Sequence, residues 1–274
     1  MASPDLSLSF HTVPELDALE TVHVAAAAGC RYVAIRLLNG QPTERGTPVL
    51  DDRAQRRAVI AAMRDNGIEA LDASTARFKP QTDVDAFTPF LDAAAEFGAR
   101  HVLASGDDPD SARLANRFAT LCDRAAERRM TVDIEFVPWM AISSLSVAAD
   151  FVRRIGRPNL GIAVDALHFN RSGSRLSDFD GLPADWFRYA QICDAPKRWE
   201  TTREQLLHTA VSERLNPGDG AIDLIGLLRR LPRNIPLALE IPMEGLSRSI
   251  PAVERVKRSA EATRRVAAMA YGSA

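Results

Sequence analysis

Residues 161–165 read Gly-Ile-Ala-Val-Asp, a short apolar run that ends in a carboxylate. A helical pattern precedes this run over residues 143–155 and opens with Ser143, a residue type that often caps helix N-termini. The same unit, a short apolar strand and an amphipathic helix, recurs along the chain. This alternation is typical of a parallel sheet whose strands are connected by helices.

Counting these units predicts the fold. The predicted strands span residues 6–10, 32–37, 67–72, 101–105, 131–137, 161–165, 189–193 and 236–241. The predicted helices span residues 13–28, 51–65, 83–97, 110–129, 143–155, 223–231 and 250–270. Eight units spaced roughly 26 to 36 residues apart, with one longer interval at the end, predict a (β/α)8 TIM barrel. We expect one domain over residues 1–274 and a large active-site loop over residues 194–235.

A doubly wound α/β sheet is the structural alternative. That fold usually carries a Gly-rich turn after its first strand, and no G-x-G-x-x-G sequence follows residues 6–10. No Pro-, Gly- or Ser-rich linker divides the chain. The barrel is therefore the favoured prediction.

Composition excludes several classes of protein. The 274 residues are 46% hydrophobic, and 34 basic against 36 acidic residues give a net charge of -2. This near-neutral balance argues against a partner held by phosphate contacts, so we expect no nucleic acid. No apolar run approaches the roughly 20 residues of a membrane span, and the N-terminal residues lack the pattern of a secretory signal. The three cysteines form no CxxC pair, so we expect a reducing cytoplasmic location.

Four polar side chains interrupt the apolar strands near their C-terminal ends, where TIM barrels place their chemistry. They are Glu135, Asp165, Gln191 and Glu240, on the fifth to eighth predicted strands. Taken singly, such residues are often salt-bridge partners, caps or core amides. Together, three carboxylates would repel one another unless a cation lay between them. This all-oxygen ligand set predicts one divalent metal ion, Mn²⁺ or Mg²⁺ or else Co²⁺.

Five motifs then give the chain a family resemblance. They are residues 135–139 (Glu-Phe-Val-Pro-Trp), 159–173 (Asn-Leu-Gly-Ile-Ala-Val-Asp-Ala-Leu-His-Phe-Asn-Arg-Ser-Gly), 191–196 (Gln-Ile-Cys-Asp-Ala-Pro), 214–220 (Arg-Leu-Asn-Pro-Gly-Asp-Gly) and 239–242 (Leu-Glu-Ile-Pro). Through them the chain resembles the xylose isomerase-like TIM barrels of the sugar phosphate isomerase/epimerase superfamily. The resemblance implies that Glu135, Asp165, Gln191 and Glu240 hold the metal. Gln191 replaces the more common His, as in a branch that includes 3-dehydroshikimate dehydratases.

The resemblance also implies a chemistry. It is proton abstraction next to a carbonyl of a keto-sugar or related polyhydroxy compound, with a metal-stabilised enediolate. Glu135 and Glu240 would act as the two catalytic bases on opposite sides of the carbon. His168 and Arg214 would contact substrate oxygens, and His168 could also act as an acid. The alternative is a dehydratase of the 3-dehydroshikimate or inosose type, because loss of a β-hydroxyl follows from the same first step.

Basic residues surround the predicted rim, and they favour an anionic substrate. Arg36 is the most notable because it lies inside an apolar strand, whereas Trp139 is expected to form a wall of the pocket. The other basic residues near the rim are Arg77, Lys79, Arg171, Lys197, Arg198 and Arg214. We expect a small-molecule substrate, no membrane partner and, by family analogy, a homo-oligomer. An endonuclease-like DNA repair enzyme and a non-catalytic binding barrel are the less favoured alternatives.

Overall fold

A computed structural model describes residues 3–38 and 49–272 of the chain. Eight parallel strands form a closed barrel in which each strand pairs with its neighbours in chain order and β1 closes on β8. The strands are β1 Leu6–Leu8, β2 Tyr32–Arg36, β3 Glu69–Phe78, β4 His101–Gly106, β5 Thr131–Glu135, β6 Leu160–Asp165, β7 Ala190–Ile192 and β8 Leu237–Leu239. The predicted (β/α)8 barrel is confirmed.

Helices connect the strands around the outside of the barrel. They are α1 Ala18–Ala27, α2 Arg53–Asp65, α3 Thr88–Glu96, α4 Ser111–Glu127, α5 Leu145–Ile155, α6 Ala166–Arg171, α7 Arg203–Val211, α8 Leu224–Arg230, α9 Glu244–Ser247 and α10 Ala252–Tyr271. Within the described residues, none of these helices is both long and apolar enough to cross a membrane.

Two of the predicted boundaries that differ from the structure, the start of α1 and the end of β3, have identifiable physical reasons. Helix α1 begins at Ala18 and not near residue 13, because Asp17 and Glu20 form a reciprocal capping box. Strand β3 continues to Phe78, six residues beyond its predicted end, because it pairs with β4 up to Gly106. Pairing with a neighbouring strand is a tertiary effect that the short apolar run at residues 67–72 does not reveal.

The interval between β7 and β8 is less open than predicted. The large loop expected over residues 194–235 contains α7 as well as the predicted helix α8. Thr202 and Gln205 cap the start of α7 reciprocally, which stabilises a helix in this segment. Its last turn is followed by residues 213–215, which return to the barrel rim.

Two layers of apolar packing hold the barrel. The larger layer lies between the strands and the helices, and it includes Ile134, Ile162, Val164 and Leu239. A smaller cluster is formed by Tyr32, Leu71, Leu103, Ala163, Tyr189 and Ala238. Side chains alternate between the two faces of a strand. On β6, β7 and β8, the residues two positions beyond Ala163, Tyr189 and Ala238 therefore also face the barrel interior.

Candidate active site

The alternation of side chains along the strands explains the positions of three of the four predicted metal ligands, and strand pairing explains the position of the fourth. Asp165 comes two residues after Ala163, Gln191 two after Tyr189 and Glu240 two after Ala238, and all three are therefore directed into the barrel mouth. Glu135 pairs in register with Ala163. All four side chains are buried, with Asp165 at 0% and Glu135, the most exposed, at 8%.

Arg214 lies between two of these carboxylates. Its Nη1 donates to Asp165 Oδ2 over 2.6 Å, and its Nη2 donates to Glu240 Oε1 over 3.3 Å. Its Nε donates to the carbonyl oxygen of Ala210 over 2.9 Å, and only 2% of the side chain is exposed. The guanidinium, which the family resemblance placed against substrate oxygens, thus also neutralises charge within the carboxylate cluster.

Glu240 accepts hydrogen bonds at both of its oxygens. The Oε2 atom receives the Ser9 hydroxyl over 3.2 Å and the Nε2 of Gln191, while Oε1 receives Arg214. Ser9 follows β1 and belongs to the cleft lining, but the sequence analysis did not single it out. The alternation of β1 would have indicated it, because Ser7 and Ser9 share one face of the strand.

Two of the predicted ligands, Glu135 and Asp165, also form a group of possible metal ligands with His168. One ligand atom each from Glu135, Asp165 and His168 lies within 4.8 Å of the others, and all three residues are buried. Asp165 Oδ1 accepts the backbone N–H of His168 over 2.9 Å and so caps helix α6. This cap fixes His168 one turn above the carboxylates.

Burial shapes the protonation of these groups. Burial, together with the charges of Glu240 and Asp165, raises the pKa of Glu135 well above its usual range. Burial also raises the pKa of Glu240 to about 7, although Arg214 opposes the effect. For Asp165 the contacts with Arg214 and His168 outweigh burial, and its pKa lies below the ordinary value. Asp165 is thus the member of the cluster that ionises most readily, and the two glutamates bind a proton more tightly than ordinary carboxylates do.

His168 is neutral at physiological pH. Burial lowers its pKa to about 4, against the opposing charge of Asp165. Its ring packs edge-on against Trp139 with the ring centroids 5.3 Å apart, and its buried Nδ1 has no hydrogen-bond partner among the residues that the structure describes. A neutral imidazole with a free ring nitrogen can exchange one hydrogen bond with a bound substrate.

The donor set fits a divalent metal ion. The amide nitrogen of Gln191 donates to Glu240, but its buried Oε1 has no hydrogen-bond partner within residues 3–38 and 49–272. A buried amide oxygen without a partner is costly, and a cation would satisfy it. Carboxylate and amide oxygens are ligands that Mg²⁺ and Mn²⁺ prefer, while His168 adds a nitrogen donor that zinc also accepts.

Glu135, His168, Gln191 and Glu240 line a cleft of about 710 Å³ at the mouth of the barrel, a volume that includes its open entrance. Trp139 and Arg214 also line this cleft, and their contacts with a substrate, like that of His168, stay a prediction. Arg36 is placed differently. It packs over the Phe10 ring at 4.9 Å and lines a neighbouring cavity of about 440 Å³ between β2 and α1.

The cleft also contains polar residues that the sequence analysis missed. Asp72 and Ser74 on β3 line its floor, and the Ser74 hydroxyl donates to Asp72 Oδ2 over 2.6 Å. Burial raises the pKa of Asp72 to about 7. The prediction of polar site residues considered the ends of the fifth to eighth strands, whereas Asp72 and Ser74 lie on the third. Asp72 is the last residue of the third predicted strand, so its position at a strand end could have indicated it.

Comparisons with known proteins agree with this fold. The chain matches the sequence profile of the xylose isomerase-like TIM barrels over residues 22–266. It is 29% identical over 140 residues to a 3-dehydroshikimate dehydratase of Pseudomonas aeruginosa, which covers 50% of this chain and 22% of that protein. It is 27% identical over 135 residues to an inosose isomerase of Bacillus velezensis, which covers 46% of this chain and 45% of that protein. The chain thus matches less than half the length of these curated relatives.

A solved structure shares the whole fold. An IolI protein with a bound zinc atom superposes with a TM-score of 0.80 at 17% identity, covering 98% of this chain and 100% of that chain. At this level of identity the similarity concerns the fold alone.

Proposed function

Because the chain belongs to the xylose isomerase-like TIM barrel family, we propose that it is a divalent-metal-dependent isomerase or epimerase. Its substrate is a keto-sugar or a related polyhydroxy compound, and the reaction removes a proton next to a carbonyl. The observation that carries the proposal is the pair of buried glutamates, Glu135 and Glu240, beside the buried Oε1 of Gln191. This oxygen accepts no hydrogen bond from the part of the chain that the structure describes.

The proposed ligands of the metal are Glu135, Asp165, Gln191 and Glu240. When bound, the ion supplies a Lewis acid that stabilises negative charge on substrate oxygens. Its charge also favours the ionised form of the glutamate that acts as the base, against the rise in pKa that burial causes at both glutamates. A carboxylate with a raised pKa is a stronger base than an exposed one, which suits it to removing a carbon-bound proton.

The protein's own residues divide the remaining tasks. One glutamate, in its ionised form, removes the proton from one face of the carbon, and the other, which carries a proton, returns that proton on the opposite face. Arg214 keeps Asp165 ionised through a 2.6 Å contact and leaves the glutamates as the proton carriers. Neutral His168 holds a substrate hydroxyl through its free ring nitrogen, and Trp139 excludes water from the wall beside it.

A dehydratase is the second candidate, and Gln191 is the observation that favours it. The family resemblance associates Gln at this strand position with 3-dehydroshikimate dehydratases, and the chain is 29% identical over 140 residues to one protein of that name. The first proton transfer would be the same, and loss of a β-hydroxyl would then yield an enone or an aromatic product. In this reaction the departing hydroxyl would take the proton that the glutamate base has removed, and neutral His168 would hold that hydroxyl through a hydrogen bond.

One experiment separates the two candidates. The protein is loaded with Mn²⁺ and incubated in D2O with a panel of ketoses, inososes and 3-dehydroshikimate, and the products are followed by proton NMR and ultraviolet absorbance. Deuterium incorporation at the carbon next to the carbonyl, without a new chromophore, supports the isomerase. Appearance of an enone or aromatic chromophore supports the dehydratase. No exchange and no product with any substrate, while Mn²⁺ is bound, would contradict both.

A further inference from the structure

Asp194 organises the loop that carries Arg214. It follows β7, and its carboxylate accepts four backbone N–H groups. Oδ1 receives those of Ala195 at 2.8 Å and Ile222 at 3.0 Å. Oδ2 receives those of Gly218 at 3.0 Å and Gly220 at 3.1 Å. A carboxylate that accepts two N–H donors at each oxygen holds a loop far more strongly than a single hydrogen bond does.

The backbone of Asp194 also forms hydrogen bonds with the same loop. Asp194 and Leu215 exchange both of their backbone hydrogen bonds, each over 2.8 Å. Leu215 directly follows Arg214, whose own N–H donates to the carbonyl oxygen of Pro242 over 2.7 Å. Arg214 and Leu215 are thus held by Asp194 and Pro242, which follow β7 and β8 close to Gln191 and Glu240.

Two glycines are required by this arrangement. A Cβ on Gly220 would lie 2.3 Å from Asp194 Oδ1 and 2.3 Å from the Ala195 carbonyl oxygen, so a side chain cannot fit there. Gly218 has a φ of +92°, a conformation that residues with side chains rarely adopt. The Pro-Gly-Asp-Gly motif at residues 217–220 therefore serves to close the loop around the Asp194 carboxylate.

From these contacts we infer that Asp194 is a positioning residue for the active site, which acts through Arg214. Its carboxylate fixes the loop that places the guanidinium between Asp165 and Glu240. It touches neither of those carboxylates in any contact that the structure describes. The inference rests on the proposed function only for the metal-binding readout below, because the position of Arg214 does not depend on the reaction.

The first test is the crystal structure of Asp194→Asn. The amide keeps the size of the side chain but can accept at only one atom, so one pair of N–H groups loses its acceptor. We expect the guanidinium of Arg214 to leave Asp165, with the Nη1–Oδ2 distance growing from 2.6 Å beyond hydrogen-bonding range. An unmoved guanidinium would overturn the inference. If Asp194→Asn does not fold, Gly218→Ala, which strains the same loop, replaces it.

The second test is a double-mutant cycle on Mn²⁺ affinity. We expect Arg214→Met to tighten Mn²⁺ binding about tenfold, because a buried positive charge is removed from the ligand cluster. Asp194→Asn should tighten it in the same direction by a smaller factor, about threefold, and should add nothing in the Arg214→Met background. A purely structural role would instead weaken Mn²⁺ binding equally in both backgrounds, and that result would overturn the inference.

Asp223→Asn is the matched control. Asp223 lies in the same segment and caps α8 through the N–H of Gly226 at 2.8 Å. Its loss should lower the unfolding temperature without changing Mn²⁺ affinity. If wild-type protein binds no Mn²⁺, the proposed function fails, while the position of Arg214 in the Asp194→Asn crystal still decides this inference.

Discussion

Replacing Glu240 with Gln should remove activity and stabilise the protein at the same time. Glu240 is buried and its pKa is raised to about 7 from an ordinary value of 4.5. Above pH 7 the folded protein must therefore ionise a carboxyl group that burial keeps protonated. One pKa unit corresponds to about 1.4 kcal/mol, so this ionisation costs about 3 kcal/mol of folding free energy.

The sign of the pH dependence follows from the raised pKa. The folded protein holds this proton more tightly than the unfolded chain, so the contribution of Glu240 to stability is complete below pH 4.5 and is lost as the pH rises through 7. Gln resembles the protonated acid at every pH. Its amide also fits the site, because Gln191 can reorient its own amide and Ser9 can accept as well as donate.

Urea unfolding in the presence of a chelator measures this effect. Glu240→Gln should match wild type near pH 4.5 and exceed it by about 3 kcal/mol at pH 8. The same variant should lose about 10³-fold in turnover, since a general base is removed. Glu261→Gln, the same change at an exposed position of α10, is the control and should alter neither quantity. Full activity in Glu240→Gln, or a stability difference that does not change with pH, would refute the reasoning.

Three further predictions concern neighbouring groups. Burial raises the pKa of Asp72 to about 7, so Asp72→Asn should gain stability relative to wild type as the pH rises from 5 to 8, and a constant difference in urea unfolding would contradict this. Gln191→Met should weaken Mn²⁺ binding about tenfold or more in calorimetry, and unchanged affinity would exclude the amide oxygen as a ligand. Arg171→Met should cost about 3 to 5 kcal/mol in unfolding free energy, because it leaves Glu200 buried and unpaired. Adding Glu200→Gln should recover part of that loss, and no recovery would show that the pair does not account for it.

The eight strands could be predicted because each is a short apolar run bounded by turn residues. Residues 161–164, Gly-Ile-Ala-Val, are continuous in apolar character, as expected for a strand buried on both faces, whereas residues 131–135 alternate between polar and apolar side chains. The alternation within each strand then determines which side chains face inward. Asp165, Gln191 and Glu240 could be predicted to meet at the rim for this reason alone, without knowledge of any packing.

The contacts between distant loops could not be predicted in this way. Arg214 lies 49 residues from Asp165 in the chain, and only the closure of the barrel brings the two together. The role of Asp194 as the anchor of the segment 215–222 depends on four backbone N–H groups that have no sequence signature of their own. Helix α6 was missed because six residues are too few to show a helical period.

The structure changes the meaning of the basic rim. Arg171 is 2% exposed and pairs with the buried Glu200, while Arg214 pairs with Asp165 and Glu240. Both guanidinium groups compensate carboxylates of the chain itself, so their presence is explained without an anionic substrate. Arg77 also belongs to the basic rim: it lines the cleft on β3, and its Nε donates to the Ser105 hydroxyl over 3.3 Å. For Arg171 and Arg214, the two buried guanidinium groups paired with buried carboxylates, charge balance within the barrel is a sufficient reason for their positions.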